Sequence, residues 1–403
     1  MKVLFVTWDG PQVTYLESLF LPIFSRLAKI GINFHVLQFT WGPAKRTALI
    51  RQACQESGVT YQRVTVWRSF GAVGPMFSAL LGAWHVKNAI KANHIDLVMP
   101  RSNLPALAVL LAMWGNNRAM MFDADGLPLD ERVDFAGQSP SSIVYRFLRD
   151  IEAEAVRRSS VVLVRTLKAA EILQSRAGPG SAADKFHIVT NGRSSDCFKP
   201  LDVNSRDEVR RRLGIDPGCP LLVYAGSIGP QYCVREMLTF FSYVRSRLPT
   251  AHFLILTGSP EVVHRALIAQ PHDSAAVTTL SVPADGVPEL LAAADVGLAF
   301  RKSTFSMQAV APIKLGEYLL CGLPIVATAG IGDTCAIPEI VGYRLHHMDD
   351  GELYSAAEWF VNKVLPNRFE LGTAARSVGL KHFSLEVSAI SYEAAIRCVT
   401  QKQ

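Results

Sequence analysis

The chain has 403 residues, of which 49% are hydrophobic and 19% charged, and its formal net charge is +6. This length suggests two domains, each with a sizeable core, and the composition argues against an intrinsically disordered chain. The seven cysteines are scattered without a Cys-x-x-Cys pair, which favours free thiols in a reducing cytosol over a zinc site or disulfide bonds.

The chain opens on an apolar strand, MKVLFVTW, rather than on the basic and apolar regions of a signal peptide. Its longest apolar run, residues 104–114, is too short to span a bilayer. We therefore expect a cytoplasmic protein.

Apolar strands alternate with amphipathic helical patterns through the first half of the chain. The predicted strands are residues 3–8, 34–39, 61–66, 97–101, 119–123, 161–165 and 187–190. Such alternation favours a parallel sheet that is covered by helices on both faces.

Positive charge is concentrated near the beginning of the chain. Residues 1–120 contain twelve Lys and Arg against four Asp and Glu. Within them, VWRSFGAVGPMFSALLGAWHVKNAIKANH joins aromatic and apolar residues to His and Lys. Two interpretations stay open: a core-packing helix with a solvated basic face, or a surface for an anionic membrane. No nucleic-acid-binding motif accompanies the charge, so nucleic acid is not an expected partner.

The alternation pauses at the polar stretch DCFKPLDVNSRDE and then begins again, which predicts a second domain of the same doubly wound α/β class. Its predicted strands are residues 221–225, 253–257, 278–282, 296–300 and 325–328. The closing helices have no strand between them. The predicted domains are 1–196 and 205–385, and for the final helix, 386–403, a return to the first domain is left open.

Polar or small residues stand where the predicted strands end. They are Asp9, Gly10, Arg101, Ser102, Asp123, Asp125, Gly126, Asn191 and Gly192 in the first domain, and Gly226, Ser227, Thr257, Gly258, Arg301, Lys302 and Thr328 in the second. Open parallel sheets bind ligands beyond the carboxyl ends of their strands. We expect two such crevices to face one another across an interdomain cleft.

The segment APIKLGEYLLCGLPIVAT predicts a helix from Pro312 to just before Gly322, followed by a buried strand. Lys314 lies in its first turn, where the helix dipole is unfavourable for a cation unless an anion intervenes. Free amides at the helix start favour phosphate, and Glu317 one turn later suits a ribose, so the segment indicates a nucleoside diphosphate site. The alternative is a solvent-exposed ion pair between Lys314 and Glu317.

These residues carry a resemblance to a known family. KLGEYLLCGLPIVAT resembles the donor-site signature of glycosyltransferase family 4, which comprises retaining enzymes of the GT-B fold. YAGSIGPQYCVREMLTFF is similar to the first strand, glycine loop and helix of that family's second domain, in a variant of bacterial cell-surface polysaccharide synthesis. VPADGVPELLAAADVGLAF and FDADGLPLDERVD extend the likeness to the segment before the donor helix and to the acidic loop of the first domain.

The resemblance implies that the second domain binds the nucleotide-sugar donor and the first domain the acceptor. Glu317 would bind the ribose, the amides near Ile313 the diphosphate, and the base would lie near Thr257. The donor-binding residues expected are Gly10, Gly226, Ser227, Thr257, Val282, Val287, Arg301, Lys302, Ile313, Lys314 and Glu317. The glycines also have a purely structural interpretation, as residues of tight turns.

The sequence departs from the family pattern at three positions. Ala309 stands where the family has a second Glu, and Ser227 and Tyr232 stand where it has an Arg and a Lys. Either Arg301, Lys302 and Lys314 replace the lost charge, or the site is inactive. We favour replacement, because an inactive site has no reason to keep a lysine in the first helical turn.

The resemblance also implies front-face attack, in which the leaving diphosphate helps to deprotonate the acceptor hydroxyl and no divalent metal or other cofactor is required. The candidate catalytic residues are Asp123, Asp125 and Lys314, and the candidate acceptor-binding residues are Arg101, Asp130, Glu131 and Arg132. Asp123 and Asp125 have the spelling of a metal motif, but their place in the first domain favours contact with sugar or acceptor, with loop capping as the alternative.

The expected function is transfer of a hexose from a UDP- or GDP-sugar to a saccharide or polyprenyl-linked acceptor in bacterial capsule, lipopolysaccharide or exopolysaccharide synthesis. Peripheral contact with the cytoplasmic face of the inner membrane is left open. The alternatives are a non-catalytic sugar-nucleotide-binding subunit and a GT-B sugar-nucleotide epimerase. A Rossmann dehydrogenase is disfavoured, because the first strand is followed by DGPQVTY rather than by Gly-x-Gly-x-x-Gly.

Overall fold

The structure is a computed structural model that describes residues 1–69, 73–115, 118–179, 181–269 and 271–401. Three residues of the basic and apolar stretch, 70–72, and the last two of the predicted final helix, 402–403, lie outside the described residues. Contacts within the chain divide it into two units, Met1–Thr190 with Leu385–Gln403 and Asn191–Ser384.

The first unit contains a parallel sheet flanked by helices. In chain order its elements are β1 (Lys2–Trp8), α1 (Leu21–Ala28), β2 (Asn33–Thr40), α2 (Ala44–Glu56), β3 (Thr60–Thr65), α3 (Val73–Ala92), β4 (Leu97–Pro100), α4 (Asn103–Ala112), β5 (Ala119–Asp123), α5 (Pro128–Ala136), α6 (Ile143–Arg158), β6 (Val161–Val164), α7 (Leu167–Ala177) and β7 (Phe186–Ile188). Over the described residues the strand order is β3-β2-β1-β4-β5-β6-β7. All neighbouring strands are parallel.

The second unit repeats this architecture. Its elements are α8 (Val203–Arg212), β8 (Leu221–Ala225), α9 (Val234–Arg247), β9 (His252–Leu256), α10 (Pro260–Ala269), β10 (Val277–Leu280), α11 (Val287–Ala292), β11 (Val296–Ala299), α12 (Ile313–Leu320), β12 (Ile325–Thr328), β13 (Gly342–Leu345), α13 (Asp350–Trp359) and α14 (Arg368–Phe383). The strand order in the described residues is β10-β9-β8-β11-β12-β13, again all parallel. The predicted pair of doubly wound α/β domains is confirmed.

The last helix, α15 (Leu385–Gln401), belongs to the first unit, where it packs against α1 and β5, β6 and β7. Arg26 on α1 forms an ion pair of 2.7 Å with Glu386. The hydroxyl of Ser388 donates a hydrogen bond to the carbonyl of Thr190. Residues from the two ends of the described chain therefore complete one unit.

The central strands are buried on both faces, as expected for parallel strands between helices. Every residue of β4, β5, β6, β8, β11 and β12 is buried, and their sequences are apolar except for Asp123 and Thr328 at the ends of β5 and β12. The strand β13 was not predicted, because its four residues at the sheet edge include a half-buried arginine, Arg344. In the part of the chain that the structure describes, no helix is long and apolar enough to cross a bilayer.

The order of strands reverses between β1 and β4 in the first sheet and between β8 and β11 in the second. At such a switch point the connections leave in opposite directions, which opens a crevice beyond the carboxyl ends of the two strands. Arg101 follows β4, whereas Gly226 follows β8 and Arg301 follows β11. Each sheet thus presents predicted site residues at its own crevice.

Candidate functional site

Lys314 lies in the first turn of α12 and is only 8% exposed. Its Nζ is 3.9 Å from the ring centroid of Tyr224 and 4.9 Å from that of Tyr232. Among the described residues this Nζ has no hydrogen-bond partner. Aromatic rings attract a cation but do not replace the hydrogen bonds that it loses on leaving water. Burial also rules out the alternative of a solvent-exposed pair with Glu317.

The absence of a side chain at Gly226 permits this position of Lys314. Gly226 has a φ of 137°, and a Cβ there would lie 3.1 Å from the Lys314 Nζ and 3.4 Å from its Cε. Burial lowers the pKa of Lys314 well below its usual value, the charge of Arg301 lowers it further, and Glu317 opposes them. An anion beside Nζ would therefore favour the protonated lysine.

Arg301, two residues after the end of β11, also approaches Tyr232. Its Nη2 donates a 3.1 Å hydrogen bond to the Tyr232 hydroxyl, and its guanidinium lies 4.8 Å from the centroid of that ring. Lys302 is exposed, and its backbone N–H donates to the carbonyl of Gln231 at 2.9 Å. Of the three cations proposed to replace lost charge, Arg301 and Lys314 thus meet at Tyr232. We call Tyr224, Tyr232, Arg301 and Lys314 the tyrosine–cation cluster.

Glu317 lies one turn along α12 and pairs with an arginine that the sequence did not single out. The Nε of Arg193 is 2.9 Å from Oε1 of Glu317, and the two side chains are 14% and 15% exposed. The Arg193 guanidinium also lies 4.9 Å from the ring centroid of Phe198. Burial raises the pKa of Glu317, against the opposing charges of Arg193 and Lys314. Arg193 directly follows Asn191 and Gly192, which were predicted at a strand end. This position could have identified Arg193 as a candidate site residue.

Of the residues predicted around the base, Thr257 and Val282 follow strands, and Val287 is the first residue of α11. Thr257 follows β9, is 5% exposed and accepts a 3.2 Å hydrogen bond from the backbone N–H of Ser259. Val282 and Val287 are partly buried and pack against the core that lies beneath β8 and α12. These side chains offer an apolar surface with one hydroxyl.

The start of α12 and the glycine loop provide backbone groups rather than further charge. Ile313 is the first residue of α12 and is half-buried. Ser227 is exposed, and its carbonyl accepts a 2.5 Å hydrogen bond from the Tyr224 hydroxyl. Ala309, where the family has its second Glu, is fully buried in a short 3-10 helix, Ser306–Ala309.

Arg101 occupies the corresponding position in the first unit, after β4. Its Nη2 is 2.6 Å from Oδ1 of Asp125, and its other nitrogens are 3.9 Å from Asp9 and 3.9 Å from Asp123. Its side chain is 7% exposed. Three carboxylates therefore surround a single buried guanidinium.

Asp123 is completely buried and binds a second arginine, which the sequence did not identify as a site residue. Nη2 of Arg165, directly after β6, lies 3.0 Å from both carboxylate oxygens of Asp123. Asp125 is 32% exposed and has an unusual φ of 53°. Desolvation raises the pKa of Asp125, whereas Arg101 opposes that shift. Of the two candidate catalytic aspartates, Asp125 is the one that solvent reaches. Asp9, Arg101, Asp123, Asp125 and Arg165 are called the arginine–carboxylate cluster.

The predicted acceptor residue Asp130 is engaged within the first unit. Arg176 donates to both its carboxylate oxygens at 2.8 Å, and the Tyr145 hydroxyl donates at 2.9 Å. This network links α5, α6 and α7, so Asp130 has a structural role. Glu131 is half-buried and Arg132 is exposed.

Gly10 follows β1, and the indole of a neighbouring tryptophan gives a structural explanation for a glycine at this position. A Cβ at Gly10 would lie 3.0 Å from Cζ2 of Trp41. The close packing of Trp41 therefore favours glycine here, independently of any phosphate.

Among the described residues, no group of three or more His, Cys, Asp or Glu side chains is arranged to hold a metal ion. The candidate metal motif, Asp123 to Asp125, is bound instead by Arg101 and Arg165. That metal is not required stays a prediction.

No protein-family model matches the chain. The α-maltose-1-phosphate synthase of Mycolicibacterium smegmatis is 26% identical over 228 residues, which are 52% of this chain and 56% of that protein. The chain therefore matches only about half the length of this relative.

Solved structures match over almost the whole chain. The Anabaena protein Alr3699/HepE in complex with UDP has a TM-score of 0.72 at 14% identity, over 98% of this chain and 100% of the other. WaaG, described as a glycosyltransferase involved in lipopolysaccharide biosynthesis, has a TM-score of 0.70 at 20% identity, over 98% of each chain. These likenesses establish the fold, and the predicted GT-B architecture of two Rossmann-like domains is confirmed.

Proposed function

We propose that this chain is a retaining glycosyltransferase that transfers a hexose from a nucleotide-diphosphate sugar to a saccharide or lipid-linked saccharide. One observation carries the proposal: Lys314 is a buried cation without a hydrogen-bond partner among the described residues, at a helix start and against Gly226. Helix amides and a lysine together form a site suited to phosphate. The fold, shared with a protein solved with UDP, supports the same reading.

In this proposal the tyrosine–cation cluster stabilises the charge that develops on the leaving diphosphate. Lys314 and Arg301 are held in place by Tyr232 before any ligand arrives, and such preorganisation is a main source of catalysis in sites of this kind. Glu317, oriented by Arg193, accepts hydrogen bonds from the ribose. No metal takes part.

The first unit binds the acceptor in this proposal, and Asp125 contacts the donor sugar or the acceptor. Asp125 is suited to this because it is partly exposed, whereas Asp123 is fully buried and pairs with Arg165 and Arg101. We place the reaction in bacterial surface polysaccharide synthesis, at the cytoplasmic face of the inner membrane. The description of WaaG and the basic, apolar part of the first unit support this placement.

A thermal-shift screen with UDP, GDP and their sugar conjugates tests donor binding. A ligand at 100 times its dissociation constant stabilises the folded chain by roughly 2.7 kcal/mol, so the correct nucleotide gives a clear shift. Transfer of radiolabelled sugar to membrane lipid extract, with the anomeric configuration of the product read by NMR, tests retention. A screen in which no nucleotide shifts the transition contradicts the proposal.

A non-catalytic sugar-nucleotide-binding subunit is the second candidate, and one observation favours it. Ala309 is fully buried, so no carboxylate is available at the position where the family contacts the donor sugar. Such a subunit would bind nucleotide tightly without transfer or donor hydrolysis in the same assays. Release of an altered sugar without any acceptor would indicate an epimerase instead.

A further inference from the structure

One face of helix α3 presents large apolar side chains to solvent. The first of them is three and four residues before a central pair of neighbours, and the last is four and three residues after that pair, which places them on one side of the helix. They are Phe77, Leu80, Leu81 and Trp84, with exposed fractions of 43%, 46%, 57% and 64%. We call these four residues the α3 face.

The opposite side of α3 is fixed against the sheet and α4. Ala79 and Val86 are fully buried, and a Cβ at Gly82 would lie 2.6 Å from the ring of Phe39. Because this packing fixes the rotation of the helix, the α3 face cannot turn inward to hide its apolar side chains.

An exposed tryptophan extends the apolar surface beyond the helix. Trp67 is 65% exposed and stacks on Phe77 with 5.8 Å between ring centroids. Its backbone N–H donates a 2.8 Å hydrogen bond to the hydroxyl of Ser78 on α3. The indole is therefore held next to the α3 face rather than on a separate loop.

The charged side chains of the segment that contains α3 have one sign. Lys87 and Lys91 are exposed and follow Trp84 by one and two turns on the same side of the helix. The sequence has no Asp or Glu between residues 57 and 95, whereas Arg63 and Arg68 lie in that range. Lysines can extend their ammonium groups to lipid phosphates while their alkyl chains stay on apolar surface.

We infer that the α3 face, with Trp67, Lys87 and Lys91, docks on the surface of an anionic lipid bilayer. Exposed apolar residues on one helical side, tryptophan at the interface and an all-positive flank form the combination that holds a helix in the plane of a membrane interface. The positive flank without intervening acids favours lipid over a protein partner. That this surface presents a lipid-linked acceptor rests on the proposed function, but the docking itself does not.

Co-sedimentation with vesicles of phosphatidylcholine, with and without phosphatidylglycerol, tests the inference. The chain is expected to bind the anionic vesicles and to be released by salt. Leu81→Glu should weaken binding by roughly tenfold or more, because it removes a large apolar side chain from the contact. Ile268→Glu is the matched control, since Ile268 is 68% exposed on α10 in the other unit, and it should bind as the unsubstituted chain does.

The double substitution Lys87→Ala/Lys91→Ala should weaken binding to anionic vesicles by about thirtyfold while leaving the weak binding to neutral vesicles unchanged. Brominated lipid should quench the tryptophan fluorescence of the bound chain, and this quenching should fall when Trp84 is replaced by Phe. If Leu81→Glu and Ile268→Glu bind anionic vesicles equally well, the inference is wrong. It is also wrong if light scattering shows that the unsubstituted chain self-associates and that Leu81→Glu, but not Ile268→Glu, abolishes this self-association. Nucleotide thermal shifts on the same variants report on the proposed function separately.

Discussion

The buried cations at the carboxyl ends of the two sheets are compensated in different ways. In the arginine–carboxylate cluster, two guanidinium groups are surrounded by three carboxylates. In the tyrosine–cation cluster, Lys314 and Arg301 lie against the rings of Tyr224 and Tyr232. The first cluster neutralises its own charge, whereas the rings of the second attract the cations without neutralising them.

This difference supports the proposed anion site in one of two similar crevices. Both clusters stand at points where strand order reverses, so position alone does not distinguish them. A buried positive charge without a carboxylate is stabilised by a ligand that brings negative charge, whereas a neutralised network gains little from one. In the proposed function, this contrast supports the second unit as the donor side and neutral hydroxyl groups as the ligands of the first.

Asp123→Ala should have the largest effect. It leaves the buried Arg165 guanidinium without its carboxylate, and breaking a buried pair in this way typically costs about 3–5 kcal/mol. The midpoint of urea unfolding measures the loss. Lys314→Met is the matched comparison, because it removes a buried amine that has no hydrogen-bond partner among the described residues, and it should leave stability unchanged or raised. Equal destabilisation by both would contradict the contrast.

Lys314→Met should instead impair ligand binding. Loss of a charged hydrogen-bond donor costs about 1.5–3 kcal/mol, so the dissociation constant for UDP, measured by calorimetry, should rise by roughly tenfold to a hundredfold. Lys302→Met serves as the control, since Lys302 is an exposed lysine next to Arg301 in the chain. A similar loss in both variants would mean that only general positive charge matters.

The pH dependence should also distinguish the two clusters. The pKa of Lys314 is lowered well below its usual value, so above that lowered pKa the free Lys314 side chain is neutral and binding of a diphosphate takes up a proton. Affinity for UDP should therefore fall as pH rises from the lowered pKa towards about 10.4, by at most tenfold per pH unit.

The stability of the free protein should change in the opposite direction. Between the lowered pKa and about 10.4, Lys314 binds more protons in the unfolded chain than in the folded one. The contribution of Lys314 to the free energy of unfolding should therefore rise with pH. Calorimetry of UDP binding in buffers of different ionisation enthalpy measures the proton uptake. Lys314→Met should abolish it, and uptake that persists in this variant would assign the proton to another group.

Tyr232→Phe should have the smallest effect. It keeps the ring under both cations and removes only the hydroxyl that accepts from Arg301, a loss of about 0.5–1.5 kcal/mol. The dissociation constant for UDP should rise by roughly twofold to tenfold. Tyr232→Leu removes the ring as well and should weaken binding further; equal effects would mean that the ring does not position the cations.

The sequence predicted the fold because parallel strands buried on both faces are continuous apolar runs. The same criterion missed β13, an edge strand with Arg344, and it identified Tyr224 only as a core residue of β8. The approach of Lys314 to Gly226 depends on the order of helices and strands in the sheet and on the φ of 137° at Gly226. Neither can be predicted from the spacing of nearby residues in the sequence.

Two arginines illustrate what could have been found. Arg165 is the last residue of a predicted strand, in the same class of position as Arg101, and a stricter use of the strand-end rule would have included it. Arg193 follows Asn191 and Gly192 directly, but its partner Glu317 lies far along the chain. Pairings at such sequence separation require the fold.

The place of α15 in the first unit has a consequence for synthesis on the ribosome. Tyr392, Ala395, Ile396 and Val399 are fully buried there or nearly so, and they emerge only after the whole second unit has been translated. The second unit is contiguous in sequence and can therefore fold during elongation. Until α15 has been translated, the apolar surface of the first unit against which it packs stays exposed. A stop codon before residue 385 would thus damage the unit whose translation begins first.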